Sequence, residues 1–342
     1  MIRTFLRVLA AGLLLVLLAP AALAQTPAPP PPADRVTFGV RPATAQAPDQ
    51  RSSFTYSATP GARLTDFLAV SNVGEHPLNL RIYASDAFNT PEAGFDLLAS
   101  NRKSVDLGTW VAPGQDAVSV PGRATVIVPF ALTIPANATP GDHAGGIVAS
   151  LSTDQTQANG QKVTVEQRVG ARIYLRVSGE LHPGLTVTDL DADYHGSLLG
   201  RGDVTLSYVV RNTGNVRLSG KQWANVSAPW GSTVDGPELA PIPELLPGSS
   251  MKLSTKIGGL LPAGWLTGTV HVDPVAVAGH PDPPGEPAEA NVTFSAVPWL
   301  YLAALVVLLL ALLFWLWRRR RGRTAPTGPV DPQKVTEHAG AS

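Results

Sequence analysis

The sequence predicts an all-β protein: two tandem immunoglobulin-like β-sandwich domains followed by one C-terminal transmembrane helix. Three observations predict it. Apolar residues recur at every second position over most of the chain, and Pro-Gly dipeptides punctuate those runs. Near the end, one charge-free apolar stretch runs straight into a cluster of arginines. Gly (32) and Pro (32) together approach a fifth of the 342 residues, which suits many short strands and turns better than a helical enzyme.

The first segment, residues 1–24, has Arg3 and Arg7, an apolar run from Val8 to Ala19, Pro20, and then Ala22, Leu23 and Ala24. A basic start, a short apolar run and a small-residue cleavage site make a secretory signal peptide, because the run falls short of the roughly 20 residues needed to span a bilayer. Residues 25–35 are a proline-rich spacer built on four consecutive prolines.

Residues 36–180 read as the first sandwich. Leu78, Leu80, Ile82 and Ala84 alternate with polar neighbours, as do Val126, Val128, Phe130, Leu132 and Ile134. One-sided burial in an antiparallel sheet produces this pattern. The longest run, residues 163–177, buries Val163, Val165, Val169, Ala171, Ile173, Leu175 and Val177 on one face, and its length predicts a bend or bulge at Gly170. Residues 181–296 read as a second sandwich, opening after the turn at Pro183-Gly184. There Val204, Leu206, Tyr208 and Val210 alternate with Thr205, Ser207, Val209 and Arg211. No internal repeat is evident beyond this general likeness.

Residues 297–317 read as the transmembrane helix. Trp299, Tyr301, Trp315 and Trp317 sit at its two ends, and Arg318, Arg319, Arg320, Arg321 and Arg323 follow. Aromatic rings favour the interface and arginines stay inside, so the reading is single-pass with the bulk of the chain outside. Residues 318–342 read as a basic, disordered cytoplasmic tail.

Charge and composition exclude several classes. The formal net charge is zero, but residues 25–317 carry 18 basic against 24 acidic residues, which argues against nucleic acid as a partner. With no cysteine, disulfides and thiolate chemistry are absent. The seven histidines form no metal-ligand spacing, and no nucleophile or phosphate-loop motif occurs, so the expectation is a non-enzyme without cofactor or metal. Asp189, Asp191 and Asp193 alternate, but Tyr194 and Gly200 stand where a Ca²⁺ loop needs Gly and Glu. They read as the polar side of a strand.

A set of short motifs runs through the first sandwich in order: Phe38-Gly-Val-Arg-Pro42, Pro60-Gly61, Leu64-Thr-Asp-Phe-Leu-Ala-Val-Ser-Asn72, Ala84-Ser-Asp-Ala-Phe88, Trp110-Val111, Pro140-Gly-Asp-His-Ala-Gly-Gly-Ile147 and Arg168-Val-Gly-Ala-Arg-Ile-Tyr-Leu-Arg-Val-Ser-Gly179. Over residues 36–180 the chain resembles the peptidoglycan-binding domain of WxL-interacting proteins, surface proteins of Gram-positive bacteria. The resemblance implies non-catalytic binding of peptidoglycan or another wall polymer. It further implies a second domain that engages WxL-domain surface proteins, in the place of residues 181–296, and a cell-membrane location on the wall side. The alternative is an adhesin or assembly scaffold whose sandwiches bind other surface proteins without touching glycan.

Candidate ligand contacts follow. Arg168, Arg172 and Arg176 share one strand face with Tyr174, roughly 13 Å between successive arginines, and form either a solvated face paired with acids or a fork set for wall carboxylates and phosphates. Asp142 and His143 offer hydrogen bonds to a glycan hydroxyl at a loop tip, while Gly145 and Gly146 beside them fit a purely backbone requirement. Trp110, with Tyr83, is either core or a sugar-stacking surface.

Overall fold

A computed structural model describes residues 37–321 apart from 92–93, 157–160, 197–199, 278–282 and 284. The signal peptide, the proline-rich spacer and the tail from residue 322 lie outside the described residues. From Phe38 onward the two sandwiches belong to one compact unit.

In the first sandwich, β1 (Phe38–Ala43), β3 (Arg63–Asn72), β8 (Thr125–Thr133) and β6 (Val111–Pro113) form one sheet in that spatial order. The facing sheet orders β2 (Phe54–Ala58), β10 (Lys162–Val177), β9 (Gly141–Thr156), β4 (Leu78–Asn89) and β5 (Phe95–Leu97), with β7 (Ala117–Val120) also on β4. The inward residues of the alternating runs meet between them: Leu80, Ile82, Val128, Phe130, Leu132, Ile147, Ile173 and Leu175 are buried together, and Phe54 packs edge-on against Phe130 at 5.0 Å. Period-two burial in the sequence is thus what builds this core.

The second sandwich pairs β11 (Leu185–His195), β12 (Gly202–Asn212) and β16 (Ser250–Leu260) against β14 (Thr233–Asp235), β13 (Leu218–Ser227), β17 (Gly264–Ala276) and β18 (Ala288–Ala296), with β15 (Ile242–Leu245) on β13. Here the structure corrects the sequence reading, because the two sandwiches do repeat. β4 pairs with β5, β7 and β9, and β13 pairs with β14, β15 and β17 in the same relation. The same corner recurs at the end of β3 and of β12. Asn72 Nδ2 donates to the carbonyls of His76 and Val120, and Gly74 N–H donates to Asn72 Oδ1. Asn212 Nδ2 donates to Val216 and Leu245, and Gly214 N–H to Asn212 Oδ1. Both asparagines are buried, and each closes a turn whose carbonyls would otherwise lack partners.

Two local expectations also change. β10 keeps an unbroken register with β9 from Lys162↔Thr156 to Val177↔Gly141, so Gly170 is no bulge. Its missing side chain makes room for Leu97, whose Cδ1 lies 2.5 Å from where a Cβ would stand. Asp189, in the polar run of β11, is where that strand is irregular: its φ is +51° and the register on β12 shifts between Thr188 and Asp191.

The C-terminal helix, Trp299–Arg321, is 23 residues long, unburied and apolar enough to cross a membrane. It continues through Arg318, Arg319, Arg320 and Arg321, which the sequence reading placed in a disordered tail. Arginine is a good helix former and its charge suits a helix C-terminus. Arg321 also stacks over Trp317 one turn earlier, 3.7 Å from the ring centre.

Candidate functional site

The residues expected to contact ligand divide into three groups. Asp142 and His143 are the second and third residues of β9, not a loop tip, and successive strand residues face opposite ways. Their expected placement together at a loop tip is therefore corrected: each is buried and engaged on its own side.

Asp142 faces the second sandwich. Its carboxylate accepts two hydrogen bonds from Arg176, both 2.7 Å, and one from the Arg217 backbone N–H at 2.8 Å. The Arg217 side chain lies across the Tyr174 ring, 3.9 Å from its centre, and donates to Glu244 Oε1 at 2.7 Å. Burial would raise the Asp142 carboxyl, but the hydrogen bond from Arg176 and the Arg217 N–H hold it below the usual carboxylate range. Side-chain exposure is 2% for Asp142, 5% for Arg217 and 12% for Arg176, so this network is a seam and not a display surface. Tyr174 and Arg176, expected on an exposed arginine face, belong to it.

The seam extends on both sides. Ala144, Tyr174 and Leu246 bury one another, with Ala87 and Phe95 against them. Asn89 at the end of β4 donates to Glu244 O and accepts from Leu246 N–H, both at 2.9 Å. Asn215, in the turn after β12, donates to the Pro140 and Glu180 carbonyls and accepts from His182 N–H. Gly141 has φ +117° and a Cβ there would stand 2.1 Å from Asn215 O, so only glycine brings β9 this close to the second sandwich.

His143 points the other way, toward the short helix α1 (Leu107–Trp110). Its Nδ1 lies 2.8 Å from Asp106 Oδ1 and its Nε2 2.9 Å from Thr139 O. Both partners are acceptors, so this arrangement favours the cationic imidazolium, in which both ring nitrogens donate. Burial would push the ring's pKa down, but the bonds to Asp106 and Thr139 outweigh it and hold the pKa above the usual histidine value. Trp110 packs on this ring at 4.6 Å and half-buries itself against the first core, apart from Tyr83, which lies under Arg81. A raised histidine pKa stabilises the fold below the unfolded value of about 6.5 and that contribution fades as pH climbs through the folded value. Denaturant unfolding across neutral to mildly alkaline pH should therefore show stability falling with pH, and His143→Gln should flatten that slope. An unchanged slope in the variant would mean the imidazole is neutral in the fold.

Arg168 and Arg172 remain on the outer face of β10, holding β5 against it. Arg168 donates to Leu97 O at 3.2 Å and Arg172 stacks over Phe95 at 4.5 Å. Gly145 and Gly146 serve backbone packing, since Cβ atoms there would meet the Ser85 and Ala171 carbonyls at 2.7 and 2.6 Å. Among the described residues, no group of three or more His, Cys, Asp or Glu side chains is placed to hold a metal.

Sequence reasoning missed Asp86, Asp106, Arg217, Glu244 and Asn215. Asp86 lies inside the motif Ala84-Ser-Asp-Ala-Phe88, but nothing there says that its carboxylate accepts the N–H groups of Val105, Asp106 and Gly108, and Asp106 carries no motif of its own. Asn215 does sit in a readable turn, Asn212-Thr-Gly-Asn215, but nothing local says that the turn receives a second domain.

Neither a protein-family model nor a curated protein sequence matches the chain. Among solved structures, it is similar to one from a chaperone–tip adhesin complex of CFA/I fimbriae biogenesis, with a TM-score of 0.35 and 9% identity over 77% of this chain and 99% of that one. It is similar to the class 5 fimbriae chaperone CfaA, with a TM-score of 0.35 and 10% identity over 77% and 100%. It is similar to the E. coli chaperone DraB as well, with a TM-score of 0.28 and 12% identity over 75% and 96%. Likeness at this level transfers no function.

Proposed function

We propose that the chain is a membrane-anchored, non-catalytic scaffold that holds a protein partner outside the membrane, with the C-terminal helix spanning the bilayer and its arginines inside. The observation that carries this reading is the β9–β10 hairpin. β4 pairs with β9 only between Gly145 and Ser150, and β2 pairs with β10 only between Ile173 and Val177. β9 and β10 stay paired with each other out to Thr156↔Lys162. Residues 151–156 and 162–167 thus form a ribbon roughly 20 Å long, with neither outer edge paired among the described residues. Open strand edges rich in β-branched residues such as Thr153, Thr164 and Val165 accept an added strand from another protein.

A wall polymer bound by the first sandwich is the second reading. The placement of Arg168 and Arg172 on the outer face of β10 favours it, since the guanidinium N–H groups not used on Leu97 O suit anionic polymers. A photo-crosslinker at Val165 in the full chain, in its native envelope, separates the two. A discrete protein adduct that survives digestion of the wall is the expected result. An adduct that collapses on wall digestion would replace the scaffold by the polymer-binding reading.

A further inference from the structure

The end of the second sandwich nearest the helix is unusually apolar. β17 starts at Gly264, which pairs with Ala296, the last residue of β18. Only Val297 and Pro298 separate Ala296 from the helix at Trp299, a tether of at most about 11 Å. The β16–β17 turn, residues 261–263, therefore sits beside the chain's exit into the helix, and Pro262 lines one cleft with Val297, Pro298 and Trp299. The β13–β14 turn reaches the same end, because Ser227 pairs with both Thr267 and Thr233. Its Trp230 lines a second cleft with Leu261 and Arg201.

Outside the helix, the described residues include four strongly exposed tryptophans or leucines: Trp223, Trp230, Leu261 and Trp265. Three of the four stand at this end, at 64%, 57% and 63% exposure for Trp230, Leu261 and Trp265. Water solvates such a cluster poorly. Tryptophan instead favours the headgroup layer, where its ring and its N–H are both accommodated. The neighbouring Arg201 is exposed, and its Nη1 donates to Gly259 O at 3.1 Å, so its remaining N–H groups are the donors a lipid phosphate would meet at this end.

We infer that this base docks into the lipid–water interface, with Trp230, Leu261 and Trp265 seated among the headgroups, so that the ectodomain stands on the membrane at a fixed attitude. This rests on the reading that the helix spans the bilayer. The absence of cysteine makes single-site labelling direct. The full chain carrying Ser232→Cys, beside Trp230, is labelled with an environment-sensitive fluorophore and reconstituted in phosphatidylcholine/phosphatidylglycerol vesicles. Val73→Cys, exposed in the first sandwich, and Leu308→Cys, in mid-helix, serve as references.

Headgroup-spin-labelled lipid should remove more than half the emission at position 232 and leave position 73 bright. Adding Trp230→Ser and Trp265→Ser should restore most of the emission at 232. A bright, water-like signal at 232, with Leu308→Cys quenched by lipid spin-labelled deep in its acyl chain, would overturn docking while leaving the span intact. An unquenched label at 308 would overturn the span and docking together. A blue-shifted but unquenched label at 232 would place a second copy of the chain there instead, and full quenching in the double serine variant would assign the proximity to the tether alone.

Discussion

Asp142→Ala is expected to lower the unfolding free energy by about 3–5 kcal/mol, because it strands buried charge in the seam between the sandwiches. Three donors lose their acceptor at once: Nε and Nη2 of Arg176 and the backbone N–H of Arg217. None of them has ready access to water, with Asp142 only 2% exposed, so solvent screening offers little relief. The loss should therefore be nearly independent of salt, unlike that of an exposed ion pair. Denaturant titration of the full chain measures it through the shift in midpoint. Because the same carboxylate joins β9 and β10 to the segment that opens β13, the variant should also loosen one sandwich from the other. A single cooperative transition would then separate into two. A loss well under 1 kcal/mol with one transition retained would mean that water enters the seam and that the network contributes little.

The carboxyl's depressed titration adds a pH signature. A group whose folded pKa lies below its unfolded value contributes stability above the latter, about 3.9, and loses it as pH falls through the folded value. Acid should thus weaken the native chain and leave Asp142→Ala less affected.

The seam also marks where sequence reasoning stops. The strands were legible because one-sided burial leaves a period of two, and β10 spans the run from Val163 to Val177. The expected burial of Val163, Val165 and Val169 is corrected: β10 is buried only from Ala171 onward, and Val165 is exposed because the first half of the strand extends beyond the sheet that would cover it. The membrane-length helix was legible from its uninterrupted apolar run. Periodicity says which face of β10 turns away from its own core, namely that of Arg168, Arg172, Tyr174 and Arg176. It cannot say what covers that face, because Leu246, Glu244 and Arg217 are supplied from about 40 to 80 residues downstream. Arg176 and Tyr174 consequently looked like surface, although Arg176 pairs with Asp142 in register across the hairpin. The internal repeat escaped for a different reason. Its signature is a buried Asn followed two residues later by Gly, Asn72 with Gly74 and Asn212 with Gly214, and that pattern is common in ordinary turns. Only the long-range bonds from each amide to Val120 and Leu245 distinguish it.

Asp86→Ala is the second large effect, expected at about 3–5 kcal/mol, from one to three per stranded donor less partial relaxation. Asp86 is buried in β4, and its carboxylate accepts N–H bonds from Val105 and Gly108, both 2.6 Å, and from Asp106 at 3.0 Å. Asp106, the N-cap residue of α1, makes no side-chain cap of its own, so a residue 20 positions away performs the capping. That frees the Asp106 carboxylate for His143 and sets Trp110 on the imidazole. Removing Asp86 should therefore release α1 and, through it, His143. Amide exchange at residues 105–108 should accelerate, and the His143 pKa, followed by NMR, should drop back toward the ordinary histidine value. Asp86→Asn retains one acceptor oxygen but turns an NH₂ toward the same donors, so it should fall between wild type and alanine. If Asp86→Ala destabilises the chain while His143 titrates unchanged, then Asp106 holds its position without the cap, and the link from β4 through α1 to the histidine is broken.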